Sequence, residues 1–475
     1  MTKFRGILAL IAVTALIRLA FAASTGLGMD ESYMVSAGRV LSLGYFDHPP
    51  ASWWLSWGAA HLFGTEAPVA VRLPFILLFA LSTWLMFRLG AAVADARAGF
   101  WAAVLLNLSP VFGVTAGTWV LPDGPLLCAL LGAALCLVHA TTGRGRLWWG
   151  GAGVCAGLAL ASKYSAVLTI GGAFVYLIFD RRQRHWLARP EPYLAALIAV
   201  IVFSPVVIWN ATHGWASFAF QGGRAVGARF RPLAPLTVLL GEGLFVLPWI
   251  WAPMLALLLR GKPRLLSFLA APPIAAFALI AAWSSQRVLY HWAAPGYLML
   301  FPALGVAVGE RLDRPWVRRT IVGTAVFILV VVTAISAQTS FDILGGRLAP
   351  PMRKDPTMEG IDWVSIRADL LQRGLLRPGA VVGVGNWRDG GKIAYALGPD
   401  VTVLCFSADA RQFGFAHPPA DFVGQDVLLI GLAPVDGPFE RIEPLPPSSV
   451  RFRGRDLASV SVAIGHRLIA WPPPK

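Results

Sequence analysis

Apolar residues run through this chain in long blocks separated by short polar breaks. A helix needs about 17–25 apolar residues to cross the hydrocarbon core of a bilayer. Eleven blocks approach that length, near residues 5–23, 69–89, 99–117, 122–140, 147–161, 164–180, 192–210, 234–259, 265–283, 291–309 and 318–337. The third and fourth are joined only by residues 118–121, and the fifth is short. The first could be read as a signal peptide, but it is too long for an h-region and Arg18 interrupts it late, so it reads as a membrane anchor. The pattern predicts a polytopic α-helical membrane protein with about 11 transmembrane helices.

The polar breaks are not alike. Every second one is basic: Lys3 and Arg5, Arg88 and Arg97, Arg144 and Arg146, DRRQRHWLAR at 180–189, RGKPR at 260–264 and ERLDRPWVRR at 310–319. Basic loops mark the cytoplasmic side, which places the N-terminus there. The opposite breaks carry the unusual polar residues: the 24–68 loop with Asp30, Glu31, Asp47 and His48, then Asp123, Lys163, the 213–232 stretch, and Arg287 to Trp292.

The 24–68 loop is itself patterned. MVSAGRVLSLG and PASWWLSWGAAHLFG space their apolar and aromatic residues as amphipathic helices lying on a membrane surface, with residues 44–50 as the joint. That arrangement would hold Asp30, Glu31 and Asp47 near one another. After residue 340 the pattern changes to a helical stretch at 362–373 and short apolar runs at 380–385, 401–406 and 426–431, a small α/β domain. The expected division is therefore 1–340, a membrane domain with a catalytic first outer loop, and 341–475, extracytoplasmic because the span number is odd. VGVGNWRDGG lacks the G-x-G-x-x-G spacing and reads as a strand-to-helix turn. No internal repeat is visible, against a transporter built from inverted halves.

Composition agrees with membrane residence: 56% of residues are hydrophobic and only 14% charged. The net charge of +15 raises the question of nucleic acid, but the cations sit in topology-setting loops and form no basic stripe, so a nucleic-acid partner is excluded. Cys128, Cys136, Cys155 and Cys405 have no metal spacing, and three fall within apolar segments as small core residues.

Each polar residue on the outer side has a plain alternative. Asp30, Glu31 and Asp123 stand where acids cap helices. Lys163 could snorkel, though a lysine on that side runs against the charge bias, and a phosphate held at the membrane would need such a cation. Arg18 could serve the same anion or pair with Asp30. Arg287, His291 and Trp292 lead the tenth block, where an interfacial belt is the alternative to a substrate pocket. Arg224, Arg229 and Arg231 in the 213–232 stretch could form a flap or an anchor. Together they outline a cavity suited to moving a sugar from a lipid phosphate: a carboxylate takes the acceptor proton while cations steady the departing phosphate.

In order and spacing, DE-x-Y (30–33), GYFDHPP (44–50), LPDGPLL (121–127), SKYSAV (162–167), HGWASFAFQ (213–221) and HWAAPGYL (291–298) resemble the C-type glycosyltransferases. The resemblance is to bacterial family 39, the protein mannosyltransferase and lipid A aminoarabinose transferase groups, and covers most of the chain. It implies an inverting transferase with a polyprenyl-phosphate-linked sugar as donor and a lipid or glycan acceptor, within the bacterial inner membrane. Asp30 is then the base, with Glu31 and Asp123 as further catalytic acids. Lys163, His48, Arg18 and Arg287 contact the donor phosphate, and Tyr33, His291 and Trp292 line the pocket. Asp47 is a metal ligand, if a divalent ion is bound. His48 stands where the family often has lysine, and Gln221 or Gly222 stands where a histidine partner for Asp47 is expected, with His213 nearby. Protein O-glycosylation is the nearest variant; a lipid or glycan transporter is the alternative from another class.

Overall fold

The computed structural model describes residues 2–223, 230–284, 287–347 and 355–470. In chain order the helices of the apolar part are α1 (Thr2–Ser24), α2 (Met29–Ala37), α3 (Ala51–Phe63), α4 (Pro68–Val93), α5 (Ala96–Leu108), α6 (Asp123–Thr141), α7 (Leu147–Leu160) and α8 (Ala166–Phe179). They continue as α9 (Glu191–Thr212), α10 (Ala216–Gly223), α11 (Ala234–Val246), α12 (Pro248–Arg260), α13 (Arg264–Ala281), α14 (Ala294–Leu298), α15 (Phe301–Gly309) and α16 (Pro315–Phe341). After these come α17 (Thr357–Gly360), α18 (Val364–Gln372), β1 (Val381–Val384), α19 (Trp387–Leu397), β2 (Thr402–Cys405), α20 (Phe413–Ala416), β3 (Val427–Gly431), β4 (Phe439–Phe452) and β5 (Arg455–Leu468).

Among the described residues six helices (α1 from Phe4, α4, α6, α9, α13 and α16) are long and apolar enough to cross a membrane, and further apolar helices are shorter. The chain is thus a polytopic helical membrane protein with a C-terminal α/β domain. Proline accounts for much of the shortening. The 234–259 block breaks at Leu247, whose φ of +86° leaves the helix just ahead of Pro248. The 99–117 block stops at Leu108 and resumes beyond Pro110 as a π-helical turn, Val111–Ala116.

The chain divides into two compact units. The first comprises Met1–Leu19, Leu43–Ser52 and Leu73–Val330; the second comprises Ala20–Ser42, Trp53–Arg72 and Val331–Lys475. The sequence-expected boundary at 340 lies near the last of these divisions, and two N-terminal segments group with the C-terminal residues. In the first unit, Phe79, Met86, Leu106, Phe112, Leu131 and Phe301 belong to one apolar core. A Cβ at Gly90 would lie 2.6 Å from the Gly99 Cα, so α4 and α5 touch backbone to backbone, the usual contact between helices in lipid. On α9, Leu194, Leu197, Val200, Ile201 and Ile208 face outward, an apolar surface that lipid rather than water accommodates.

The second unit is built on a five-stranded sheet of order β2-β1-β3-β5-β4. β1 pairs parallel with β2 and β3, and β5 runs antiparallel to β3 and β4. The apolar runs at 380–385, 401–406 and 426–431 correspond to β1, β2 and β3. Arg453 and Gly454 turn the β4–β5 hairpin with φ of +49° and +80°, the two left-handed residues such a tight turn demands.

One expectation needs correction. The stretch from Met34 to Gly44 is not an amphipathic helix on a membrane surface: α2 starts earlier, ends at Ala37, and buries every residue except Asp30. Its small residues pack against α19, where a Cβ at Gly391 would lie 2.7 Å from the Tyr33 Cα.

Candidate active site

In the second unit, the turn that launches α2 is fastened from several sides. Arg72, 1% exposed, grips Glu31 with two bonds, Nε to Oε1 at 2.8 Å and Nη2 to Oε2 at 2.6 Å. The same guanidinium donates to the Thr25 carbonyl at 2.9 Å, the Thr25 hydroxyl at 2.8 Å and the Gly26 carbonyl at 2.7 Å. Glu31 Oε2 also accepts the Gly28 amide at 2.8 Å, the half of a capping box that reaches from the third helical residue back to the N-cap. Lys392, fully buried, donates to the carbonyls of Leu27, Ile361 (2.7 Å) and Glu359 (3.1 Å). Burial pulls its ammonium down to about 8 despite Asp362 and Glu359. The Asp362 carboxylate accepts the Leu27 amide at 2.9 Å. Glu31 therefore stands in a buried ion pair, where removing one partner costs several kcal/mol.

Asp30 is held out by that framework. It is the exposed residue of α2, and among the described residues it makes no hydrogen bond or ion pair. The protein packed around it pushes its carboxyl above the ordinary value, opposed by the charges of Arg388 and Arg411 and reinforced by Glu359 and Glu31. Solvent reaches the carboxylate while neighbouring chain strips part of its hydration, which makes it a stronger base than a free surface aspartate. Tyr33, one turn on, is a packed aromatic: its ring lies 5.5 Å from Trp53, 5.1 Å from Trp387 and 5.6 Å from Phe413. Its hydroxyl accepts the Gln412 amide at 2.9 Å.

The first unit assembles a second polar group. Lys163, in the turn between α7 and α8, reaches both oxygens of Asp123 at the start of α6, at 3.0 and 3.2 Å. His48 and His291 lie close enough for their charges to act on Asp123. The 43–52 segment is tied to the Lys163 turn by the Ala51 amide, which donates to the Ala161 carbonyl at 3.0 Å. Next to the lysine, the Tyr164 and Ser217 hydroxyls share a 2.7 Å bond. Asp123, Lys163, His48 and His291 are thus brought together.

The other sequence candidates have partners of their own. Arg18 spends its guanidinium on the Gly113 carbonyl (3.0 Å), the Thr14 carbonyl (2.9 Å) and the Asn107 side chain (2.9 Å), over the Phe79 ring. These are contacts within the helix bundle. Arg287 bonds the Tyr290 hydroxyl at 2.9 Å, and Trp292 packs edge-on to Phe277. Arg231 is described and exposed; Arg224 and Arg229 lie outside the described residues.

A metal at Asp47 does not fit the surroundings. Among the described residues no three His, Cys, Asp or Glu side chains converge to hold an ion. The Gln221 amide donates to the Asp47 carbonyl, and His213 is turned onto its own helix, 2.8 Å from the Trp209 carbonyl and stacked on the Trp209 ring. Sequence reasoning missed Arg388 and Arg411 beside Asp30. The W-R-D and A-R-Q stretches that carry them have no motif, and only the fold of the C-terminal domain delivers them.

Residues 47–209 match the family profile described as dolichyl-phosphate-mannose-protein mannosyltransferase. No curated protein sequence matches the chain. The crystal structure of ArnT from Cupriavidus metallidurans bound to undecaprenyl phosphate is similar with a TM-score of 0.64 and 16% identity, over 96% of this chain and 98% of that one. Its apo form gives a TM-score of 0.63 and 16% identity over 98% of both chains. At that identity the likeness speaks for the fold, and it extends over nearly the whole length. The resemblance carried by the sequence motifs finds support: the chain shares the fold of the ArnT structures over nearly its whole length, and its 47–209 segment matches the mannosyltransferase family profile.

Proposed function

We propose that the protein is an inverting glycosyltransferase that takes a sugar from a polyprenyl-phosphate donor. Asp30 removes the proton from an acceptor hydroxyl as that oxygen attacks the anomeric carbon. The bond from the sugar to the phosphate oxygen breaks, and polyprenyl phosphate leaves. Lys163 steadies the departing phosphate, with His48 beside it; Asp123 holds the lysine in place. His291 belongs to the same polar group, and Tyr33 shapes the floor next to the base. Glu31 is assigned to holding the base rather than to the chemistry. No step is routed through a metal.

The observation that carries this reading is Asp30: an accessible, unbonded carboxylate on an otherwise buried helix, in a chain with this fold. The ArnT relative was solved with undecaprenyl phosphate, which supports a lipid-phosphate donor. The acceptor assigned is lipid A, lipopolysaccharide core or another envelope glycan, with transfer at the periplasmic face of the inner membrane. The test is mass spectrometry of envelope lipids from a deletion strain. A sugar-bearing species should vanish, return with the wild-type gene and stay absent with Asp30→Asn. An unchanged envelope glycan profile in the deletion strain would remove this assignment.

A further inference from the structure

A cavity of the first unit is used by neither the proposed base nor the Lys163 group. About 220 Å³ in volume, it is walled by α6, α7, α8, α9 and α13. Its lining falls within residues 130–141 of α6, 192–200 of α9 and 265–269 of α13. On each of these helices that is the part next to the basic loops at 144–146, 180–189 and 260–264. Asp123, which holds Lys163, stands about 10 Å further along α6 than Leu130, at the other end of the bundle. Along α7 the lining runs from Trp149 to Leu160, about 16 Å at the helical rise and half of a ~30 Å hydrocarbon core. Phe174 of α8 and Val200 of α9 both line the cavity and are exposed. Because α8 packs chiefly on α13 and α9 chiefly on α7, the opening between them faces lipid. An apolar cavity of about 150 Å³ takes up a benzene ring, so this one takes a longer hydrocarbon segment.

The basic end of the cavity points to what that segment belongs to. Trp149, in the first turn of α7, is buried, and among the described residues its indole N–H has no hydrogen-bond partner. Buried donors are normally paired, and the ester carbonyl of a glycerolipid is an acceptor at that depth. Two acids stand at this end, Asp180 and Glu191, and each is already bound, by Arg264 at 3.1 Å and by Arg146 at 3.0 Å. Arg144 follows the lining residue Thr141 on α6, and Arg181 and Arg182 follow Leu177 on α8. All three are exposed, and among the described residues their guanidiniums make no hydrogen bond or ion pair. Basic pockets between membrane helices hold anionic headgroups. A zwitterionic headgroup would leave this surplus of cations unanswered; a phosphodiester without an amine matches it.

We infer that the cavity is a binding site for an anionic phospholipid, with one acyl chain between α8 and α9 and the phosphate on Arg144, Arg181 and Arg182. The site is separate from the one proposed for the donor and depends neither on Asp30 nor on sugar transfer. The full chain is delipidated in detergent and offered phosphatidylglycerol or phosphatidylcholine with the same acyl chains, and retained lipid is counted by native mass spectrometry. The wild type should retain phosphatidylglycerol roughly tenfold or more over phosphatidylcholine. Arg144→Gln with Arg181→Gln and Arg182→Gln should erase that preference, each cation near an anionic headgroup being worth roughly fivefold. The melting temperature of this variant without lipid should stay put, because the three side chains hold nothing in the fold. Ala196→Phe, which puts a ring into the cavity from α9, should abolish retention of phosphatidylglycerol. Equal retention of the two lipids by the wild type, or an unchanged preference in the triple variant, would overturn the site. Retention untouched by Ala196→Phe would place the lipid outside the cavity, and displacement of phosphatidylglycerol by equimolar undecaprenyl phosphate would give the cavity to the donor's chain; either result ends the inference.

Discussion

The two polar groups present their carboxylates in opposite ways. Around α2, neighbouring acids divide the labour: Glu31 is buried in the grip of Arg72, and Asp30 is left open to solvent. At the α7–α8 turn no such division exists, because Asp123 and Lys163, both candidates for chemistry, are bound to each other. In the first region the structural ion pair can persist through a reaction cycle. In the second, a phosphate approaching Lys163 has to share or displace the Asp123 carboxylate. An ion pair thus serves as scaffold in one place and as a competitor for ligand in the other.

That contrast can be broken most sharply at Asp30. Asp30→Asn is expected to lower sugar transfer roughly a thousandfold, the usual worth of a positioned base, while the melting temperature stays put because the side chain holds nothing. A folded Asp30→Asn protein with substantial turnover would end the distinction between the two acids. Its mirror image is Arg72→Leu, which strands Glu31 in the interior and should cost about 3–5 kcal/mol of stability, read as early thermal unfolding in detergent. If that variant is as stable as the wild type, the scaffold role is wrong.

Next comes the competing pair. Lys163→Met should raise the donor KM roughly tenfold with a smaller effect on acceptor KM. Asp123→Asn should perturb donor KM less, and the double variant should fall short of the sum of the two, since the residues act through one contact. Additive effects would mean that they work separately. The smallest expected effect is in the pH profile. Arg388 and Arg411 hold the Asp30 carboxyl down, against the surrounding protein, Glu359 and Glu31, which push it up. Replacing either arginine by Gln should therefore raise its pKa further and move the acid limb of kcat/KM to higher pH. An unmoved limb in both variants would show that neither charge reaches Asp30.

How much of this was legible beforehand follows from range. Helix spans are dictated by local apolar length, so the blocks at 5–23, 69–89 and 192–210 foretold α1, α4 and α9 closely. The grouping of Asp123 with Lys163 was visible as a shared side of the membrane, though their direct bond was not. Consecutive residues on a helix point about 100° apart, so Asp30 and Glu31 had to differ in surroundings, yet nothing near them says which one Arg72 would claim. The partners of Arg18 were hidden for a similar reason: they are backbone carbonyls and Asn107 inside the bundle, and no motif announces a carbonyl. Arg388 and Arg411 reach Asp30 only through the parallel β1–α19–β2 unit, whose long-range docking leaves no local signal.

The Lys392 contact has a consequence for how the chain can vary. All three of its acceptors are main-chain carbonyls, at positions 27, 359 and 361. A carbonyl is present whatever side chain the position carries. The clamp is therefore written at one place in the gene: positions 27, 359 and 361 can drift without loss of the acceptors, while position 392 has no compensating partner. Paired substitutions between relatives would not reveal this contact, however important it is to the placement of Asp30.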